Sequence, residues 1–144
     1  CNRSETALEL LDRLAPDRLK HPKVKSAVLT TRGGVMRDLG RRPEAIQMGE
    51  KAYELRPKDY RPCTLLGAVH MELREFESGR EWYEKARERG APEQGIDSEL
   101  RSIFQQMDSP GREAMKRFLL AEDSHRYRWL KEMGHQDAPG SRKR

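Results

Sequence analysis

The chain has 144 residues, 35% of them hydrophobic and 37% charged, with a formal net charge of +5 at pH 7. No apolar run approaches the roughly 20 residues of a membrane-spanning helix, and the first residues carry no apolar stretch, so no signal peptide is expected. Arg142, Lys143 and Arg144 hold three of the five excess charges, which leaves a body of mixed charge instead of the single basic face typical of a nucleic-acid binder.

In chain order, the first predicted element is a helix over residues 4 to 19, with Ser4 as its N-cap and Ala7, Leu11 and Leu14 on one face. It reads either as the second helix of an upstream repeat or as a simple N-terminal capping helix. The chain opens on Cys1 and not on Met, which suggests a piece of a longer protein. A loop from Asp17 to Lys23 follows. The next helix ends at Gly40, and Pro43 pre-sets the first turn of the one after it, which Pro57 closes. Pro62 fits only the first turn of a fourth helix. A fifth begins near Phe76 and ends at Gly90. A sixth surrounds Leu100 and Phe104. The last, capped by Ser109-Pro110, is expected to run from Pro110 to about Met133, with Gly134 closing it and residues 135–144 forming a disordered basic tail.

Three stretches repeat in phase. Leu29, Arg32-Gly33 and Met36 in the first correspond to Cys63, Leu66-Gly67 and His70 in the second, and to Asp97, Leu100-Arg101 and Phe104 in the third. Gly33 to Gly67 is 34 residues, Gly67 to Arg101 is 34 again, Ala52 to Ala86 is 34, and Ala86 to Ala121 is 35. The extra residue falls in the Asp108-Ser109-Pro110-Gly111 turn. Each repeat reads as two amphipathic helices. Small residues let the helices approach, and Leu66, Met36, Tyr83 and Phe118 fill the gaps between layers. One such pair cannot bury its apolar face alone, so neighbours stack and share a core. This accounts for the modest hydrophobic fraction.

The Leu66-Gly67 pair, Tyr83 three residues before Ala86, and the Glu54-Leu55-Arg56-Pro57 ending resemble the tetratricopeptide repeat. That family has a period of about 34 and the signature W-x2-L-G-x2-Y, then A-x3-F, then P. The signature Trp is replaced by Leu29, Cys63 and Asp97, Gly49 stands for an aromatic, Gly79 stands for a small Ala, and the third repeat is degenerate. The resemblance spans residues 24 to 125. It implies an all-α fold: a right-handed superhelical stack of antiparallel helix pairs, an α-solenoid of about seven helices. It divides the chain into residues 1–23 (N-terminal helix and loop), 24–125 (three helix pairs), 126–134 (the end of a C-terminal capping helix) and 135–144 (the tail).

In that family the first helix of each repeat lines a concave peptide-binding face. Carried over, the groove comprises Thr30, Thr31, Gly34 and Arg37, then Arg61, Thr64, Leu65, Ala68 and Met71, then Ser102 and Gln105. These are mostly small or hydroxyl-bearing residues, unlike the Lys, Arg and Asn clamp that family members use for acidic C-terminal tails. Arg37 and Arg61 are the two electrostatic anchors. Arg37 reads equally as the partner of a neighbouring carboxylate. The implied function is a protein-interaction scaffold or regulatory module that takes a protein or peptide segment, or another part of the same parent protein. The competing readings are an accessory nucleic-acid-binding domain and an oligomerisation element. The first would use Arg126, Arg128 and Lys131 among aromatics, since such groups stack on bases, together with the basic tail. The bland counterpart is that this stretch is a capping helix packed on the last repeat.

No catalytic set emerges. His21, His70, His125 and His135 form no metalloprotease or zinc pattern, and His70-Met71-Glu72 lacks the cysteine pair of deaminases. Gly33-Gly34 is no phosphate loop. Neither a metal, a cofactor nor catalysis is expected. Cys63 reads as a structural thiol. With only Cys1 and Cys63 and no disulfide framework, a reducing, cytoplasmic setting is expected.

Overall fold

A computed structural model describes residues 21–133. The expected helix over residues 4 to 19 and the basic tail lie outside the described residues. Among these there are seven helices and no strand: α1 (Pro22–Asp38), α2 (Arg42–Leu55), α3 (Tyr60–Glu72), α4 (Phe76–Glu88), α5 (Glu93–Gln106), α6 (Ser109–Glu122) and α7 (Trp129–Met133). The chain divides into two compact units between Glu99 and Leu100, inside α5.

The helix starts follow from local chemistry. Pro22 and Pro43 sit in the first turns of α1 and α2, where a missing N–H costs nothing. Asp59 caps α3 by accepting from the Arg61 N–H at 3.0 Å, and Asp108 caps α6 through the Gly111 N–H at 2.8 Å. The cap is therefore Asp108, with Ser109 already in the helix.

The ends of α1, α3 and α4 share one motif. After α1, Arg41 N–H bonds to Met36 C=O at 2.7 Å and Gly40 N–H to Arg37 C=O at 3.0 Å, with Gly40 at φ +80°. After α4 the same pair of bonds surrounds Gly90, at φ +96°. These are Schellman closures, which need a left-handed residue. α3 closes identically, with Glu75 N–H on His70 C=O and Arg74 N–H on Met71 C=O, but the left-handed residue is Arg74, at φ +64°.

Within the first unit α1 packs on α2, α2 on α3, α3 on α4, and α1 also touches α3. The core gathers Met36, Ala45, Leu65 and Val69, with Ile46 and Met48 packed against it. Gly67 on α3 lies flat against the ring of Tyr83 on α4, a residue 1% exposed. The buried Ser26 hydroxyl donates to Ala52 C=O at 3.0 Å and ties α1 to the end of α2. Glu72, at the end of α3, accepts from Arg37 of α1 at 2.8 Å and Arg42 of α2 at 3.1 Å. One carboxylate thus clips three helices.

In the second unit α6 contacts α7, and Met115, Leu119 and Leu130 are fully buried. The expected unbroken last helix is corrected here. α6 stops at Glu122, and Asp123 is extended at φ −161°. Its carboxylate accepts from Arg126 N–H at 3.0 Å, starting a turn that competes with helix. α7 then brings Trp129 under the guanidinium of Arg101, whose carbon lies 5.0 Å from the ring centre.

Candidate functional site

The groove residues expected from the sequence separate into three groups. Leu65, Ala68 and Met71 are 9%, 0% and 1% exposed. They pack the interior, with Leu65 lying over Gly33 and Met71 over Gly79, and offer no floor to a partner. Arg37 is held by Glu72, in a two-pronged contact through Nε and the terminal nitrogen, both 2.8 Å from one oxygen. That pairing, assisted by the nearby Glu99 carboxylate, raises its pKa against the opposing effect of burial, which is the largest single influence. Arg37 is a structural clip and not a free anchor. Ser102 and Gln105 lie exposed on the part of α5 that belongs to the second unit, where Ser102 accepts from Gln106 at 3.2 Å.

The remainder lies on the first unit, where Thr30, Thr31 and Arg61 share an open cleft of about 460 Å³. Thr64, half-buried one turn further along α3, donates to Arg61 C=O at 3.0 Å, and Gly34 is half-buried on α1. The cleft is built by the first half of α1, the loop from α2 to α3, the start of α3 and the end of α4. Its walls carry five cations, Lys23, Arg56, Lys58, Arg61 and Arg89, against one carboxylate, Asp59. Ala27, Thr30, Thr31 and Tyr60 complete it. Sequence reasoning singles out Arg61 alone among these cations. The others escape the groove carried over from the resemblance, which takes only the first helix of each repeat, because they stand in a loop or at helix ends; the run Arg56-Pro57-Lys58-Asp59-Tyr60-Arg61 is the available signal.

The cations are held to different degrees. Arg89 is fixed: it donates to the carbonyls of Pro57 and Lys85 and to the Tyr53 hydroxyl, and its guanidinium lies 5.6 Å from the Tyr53 ring centre. Arg61 pairs with Asp59 at 3.3 Å and lies 5.1 Å from the Tyr60 ring centre, with most of its side chain exposed. Lys23, Arg56 and Lys58 make no ion pair among the described residues. Elsewhere in this unit Arg42 pairs with Glu72, Arg80 with Glu77 and Glu84, and Arg87 with Glu93.

The other residues singled out from the sequence have local roles. The Cys63 thiol is buried and its pKa is pushed up, chiefly by burial. That opposes the activation a helix N-terminus gives a cysteine. His70 shares a short contact with Glu75, Nδ1 to Oε1 at 2.7 Å. At the C-terminal end Arg128 and Lys131 are exposed, but Tyr127 and Trp129 are 7% and 8% exposed. Their rings meet edge to face at a 6.4 Å centroid separation, and Arg126 lies over Tyr127. Stacking on nucleic-acid bases needs open ring faces, and these faces are spent on packing. Among the described residues no cluster of His, Cys, Asp and Glu is arranged to hold a metal, and no helix is long and apolar enough to cross a membrane.

No protein-family model, curated protein or solved structure matches this chain.

Proposed function

We propose that this chain is a non-enzymatic protein-interaction module, a tetratricopeptide-like stack of helix pairs that holds a partner segment against the face where α1 and α3 run side by side. The observation that carries the reading is the cleft containing Thr30, Thr31 and Arg61: a concave surface framed by helices that also pack into a core. The repeat reading draws support from the 34-residue phase and from the Gly67–Tyr83 seam, which falls where the repeat signature puts its small and large partners. The mechanism is complementarity of shape and charge with no covalent step. Cys63, a buried free thiol, suits a reducing compartment such as the cytoplasm.

The test is affinity capture by the full chain, run beside a Thr31→Glu/Arg61→Glu variant and an Arg128→Ala/Lys131→Ala variant. A partner lost only with the first supports the cleft. A partner lost only with the second moves function to the basic C-terminal end and overturns the reading.

A further inference from the structure

We propose that the basic cleft recognises a phosphorylated side chain, which anchors the partner segment to the first unit; this rests on the reading of the chain as a segment-binding module.

The argument begins with where the charge is. Setting aside the three terminal cations, residues 1 to 141 hold 26 basic and 24 acidic side chains. Five of those cations and one carboxylate line the cleft. Removing them leaves 21 basic and 23 acidic side chains, so the rest of these residues is net negative while the cleft carries four excess positive charges. The excess is focused in one concavity, where walls of lower dielectric strengthen its field. The sole carboxylate is already engaged, since Asp59 accepts from both the backbone N–H and the guanidinium of Arg61. Arg89 pairs with Glu88 at 3.5 Å outside the cleft lining, while Lys23, Arg56 and Lys58 have no ion pair among the described residues, and like charges held close together cost stability. The arrangement is compensated when an anion enters.

The size and form of the charge select the anion. A cleft of about 460 Å³ takes one side chain with a short length of backbone, not a run of nucleotides. The cations of the cleft are gathered in one concavity, whereas nucleic-acid binders spread cations along the strand. A single carboxylate brings one charge to four. A phosphoryl group brings about −1.5 to −2 and three acceptor oxygens to one point. Clustered arginine and lysine donors are the usual recognition chemistry for such a group. The cations of the cleft act in two ways. Arg89, fixed by Pro57, Lys85 and Tyr53, supplies a standing charge, while Lys23, Arg56, Lys58 and the exposed Arg61 supply donors that close on the oxygens. The exposed Thr31 hydroxyl adds a neutral donor on the α1 side.

The test uses the fluorescently labelled full chain and bead-bound degenerate hexapeptides whose central residue is phosphoserine, phosphothreonine or phosphotyrosine. Matched libraries carry the unphosphorylated residue or Glu. Capture by at least one phosphorylated library is expected to exceed its unphosphorylated counterpart at least tenfold, and free inorganic phosphate is expected to compete at millimolar concentration. Lys23→Glu/Lys58→Glu, two exposed positions, should abolish the difference while helical circular dichroism is unchanged. Lys51→Glu/Lys131→Glu, with the same change in net charge, should leave it intact. Equal capture of phosphorylated and unphosphorylated libraries, lost with Lys23→Glu/Lys58→Glu, overturns the phosphoryl anchor and leaves the segment-binding reading standing. Capture by the Glu library as strong as by the phosphorylated ones does the same. Loss only with Lys51→Glu/Lys131→Glu overturns both, as does the absence of capture by every library. Displacement of a bound phosphopeptide by a sub-stoichiometric RNA oligonucleotide assigns the cleft to nucleic acid and overturns the proposal.

Discussion

Two glycines on the contacting helices α1 and α3 should respond to the same substitution with opposite sign. Gly34 and Gly67 both lie inside helices, where alanine is favoured by about 1 kcal/mol. A methyl group on Gly34 meets no heavy atom within 4 Å, so Gly34→Ala should stabilise the first unit by about 1 kcal/mol. On Gly67 the same methyl would lie 2.9–3.0 Å from Cδ2, Cε2 and Cγ of Tyr83. That ring cannot step aside cheaply: it is 1% exposed, and its hydroxyl donates to Glu99 at 2.7 Å. Overpacking of this kind costs about 1–3 kcal/mol, and shifting the ring also strains a hydrogen bond worth about 1 kcal/mol. Set against the propensity gain, Gly67→Ala should lose about 1–2 kcal/mol. The two variants should then differ by about 2–3 kcal/mol, although each adds one methyl to one helix. Because the chain holds two compact units, the suitable readout is hydrogen exchange of buried α3 amides such as Leu66 and Val69, which reports the first unit's own opening free energy. If Gly67→Ala proves as stable as Gly34→Ala, the α3–α4 seam is not packed as described.

Arg74 occupies a left-handed position that costs a side-chain-bearing residue about 1 kcal/mol or more, so Arg74→Gly should raise the first unit's stability by up to about 1 kcal/mol in urea unfolding; a loss would show that the arginine's own contacts outweigh the backbone strain. Glu72→Ala strips the acceptor from Arg37 and Arg42, all three partly shielded from water, and should cost about 1–2 kcal/mol; a neutral result in the same assay would mean that the clip contributes nothing to stability. Asp59→Ala and Asp108→Ala each remove a helix cap and should each cost about 1 kcal/mol, but only Asp59→Ala deletes the cleft's carboxylate, so it alone should tighten phosphopeptide capture. Burial, the largest influence, pushes the Glu99 carboxyl above its ordinary range, against the opposing effects of the Tyr83 hydroxyl and Arg37. A raised folded-state value means that stability is present in full below the unfolded carboxyl range and is lost as pH rises through the elevated value. Glu99→Gln removes that titration, so the variant should gain on the parent between pH 4 and pH 7, and urea midpoints moving in parallel at the two pH values would refute it.

Much of the helical scaffold was legible because it is written in local chemistry. Pro43 and Pro62 mark helix starts, Gly40 and Gly90 mark ends, and the 34-residue phase aligns Gly67 with Tyr83 in the second repeat, whereas Pro22, assigned from the sequence to a loop, opens α1. The end of α3 was not legible, since Arg74 gives no hint that it adopts the conformation glycine holds at the equivalent turns. The break after Glu122 was missed for a related reason: the apolar pattern continues through Leu130, and only the side chain of Asp123, turned onto Arg126 N–H, diverts the backbone. The site was half legible. The groove carried over from the resemblance includes Thr30, Thr31 and Arg61, which line the cleft, but it also puts Leu65, Ala68 and Met71 on an open surface. Every face of α3 is engaged over much of its length, so the carried-over groove fails there. Arg56, Lys58 and Arg89 come to the cleft from a loop and from the end of another helix, a convergence that periodicity along one helix does not encode.

The way Arg89 is held has a spectroscopic consequence. Arg89 forms a wall of the cleft and also bonds to the Tyr53 hydroxyl. Tyr53 meets Trp82 edge to face at 5.0 Å, and the Lys85 ammonium sits 4.4 Å above the same indole. An anion that draws on Arg89 alters the field and the polarisable neighbours felt by Trp82. The other tryptophan, Trp129, belongs to the second unit and is screened by its own arginine. Binding of the proposed anion should therefore shift the indole emission of Trp82, so the unlabelled protein would report ligand by its own fluorescence.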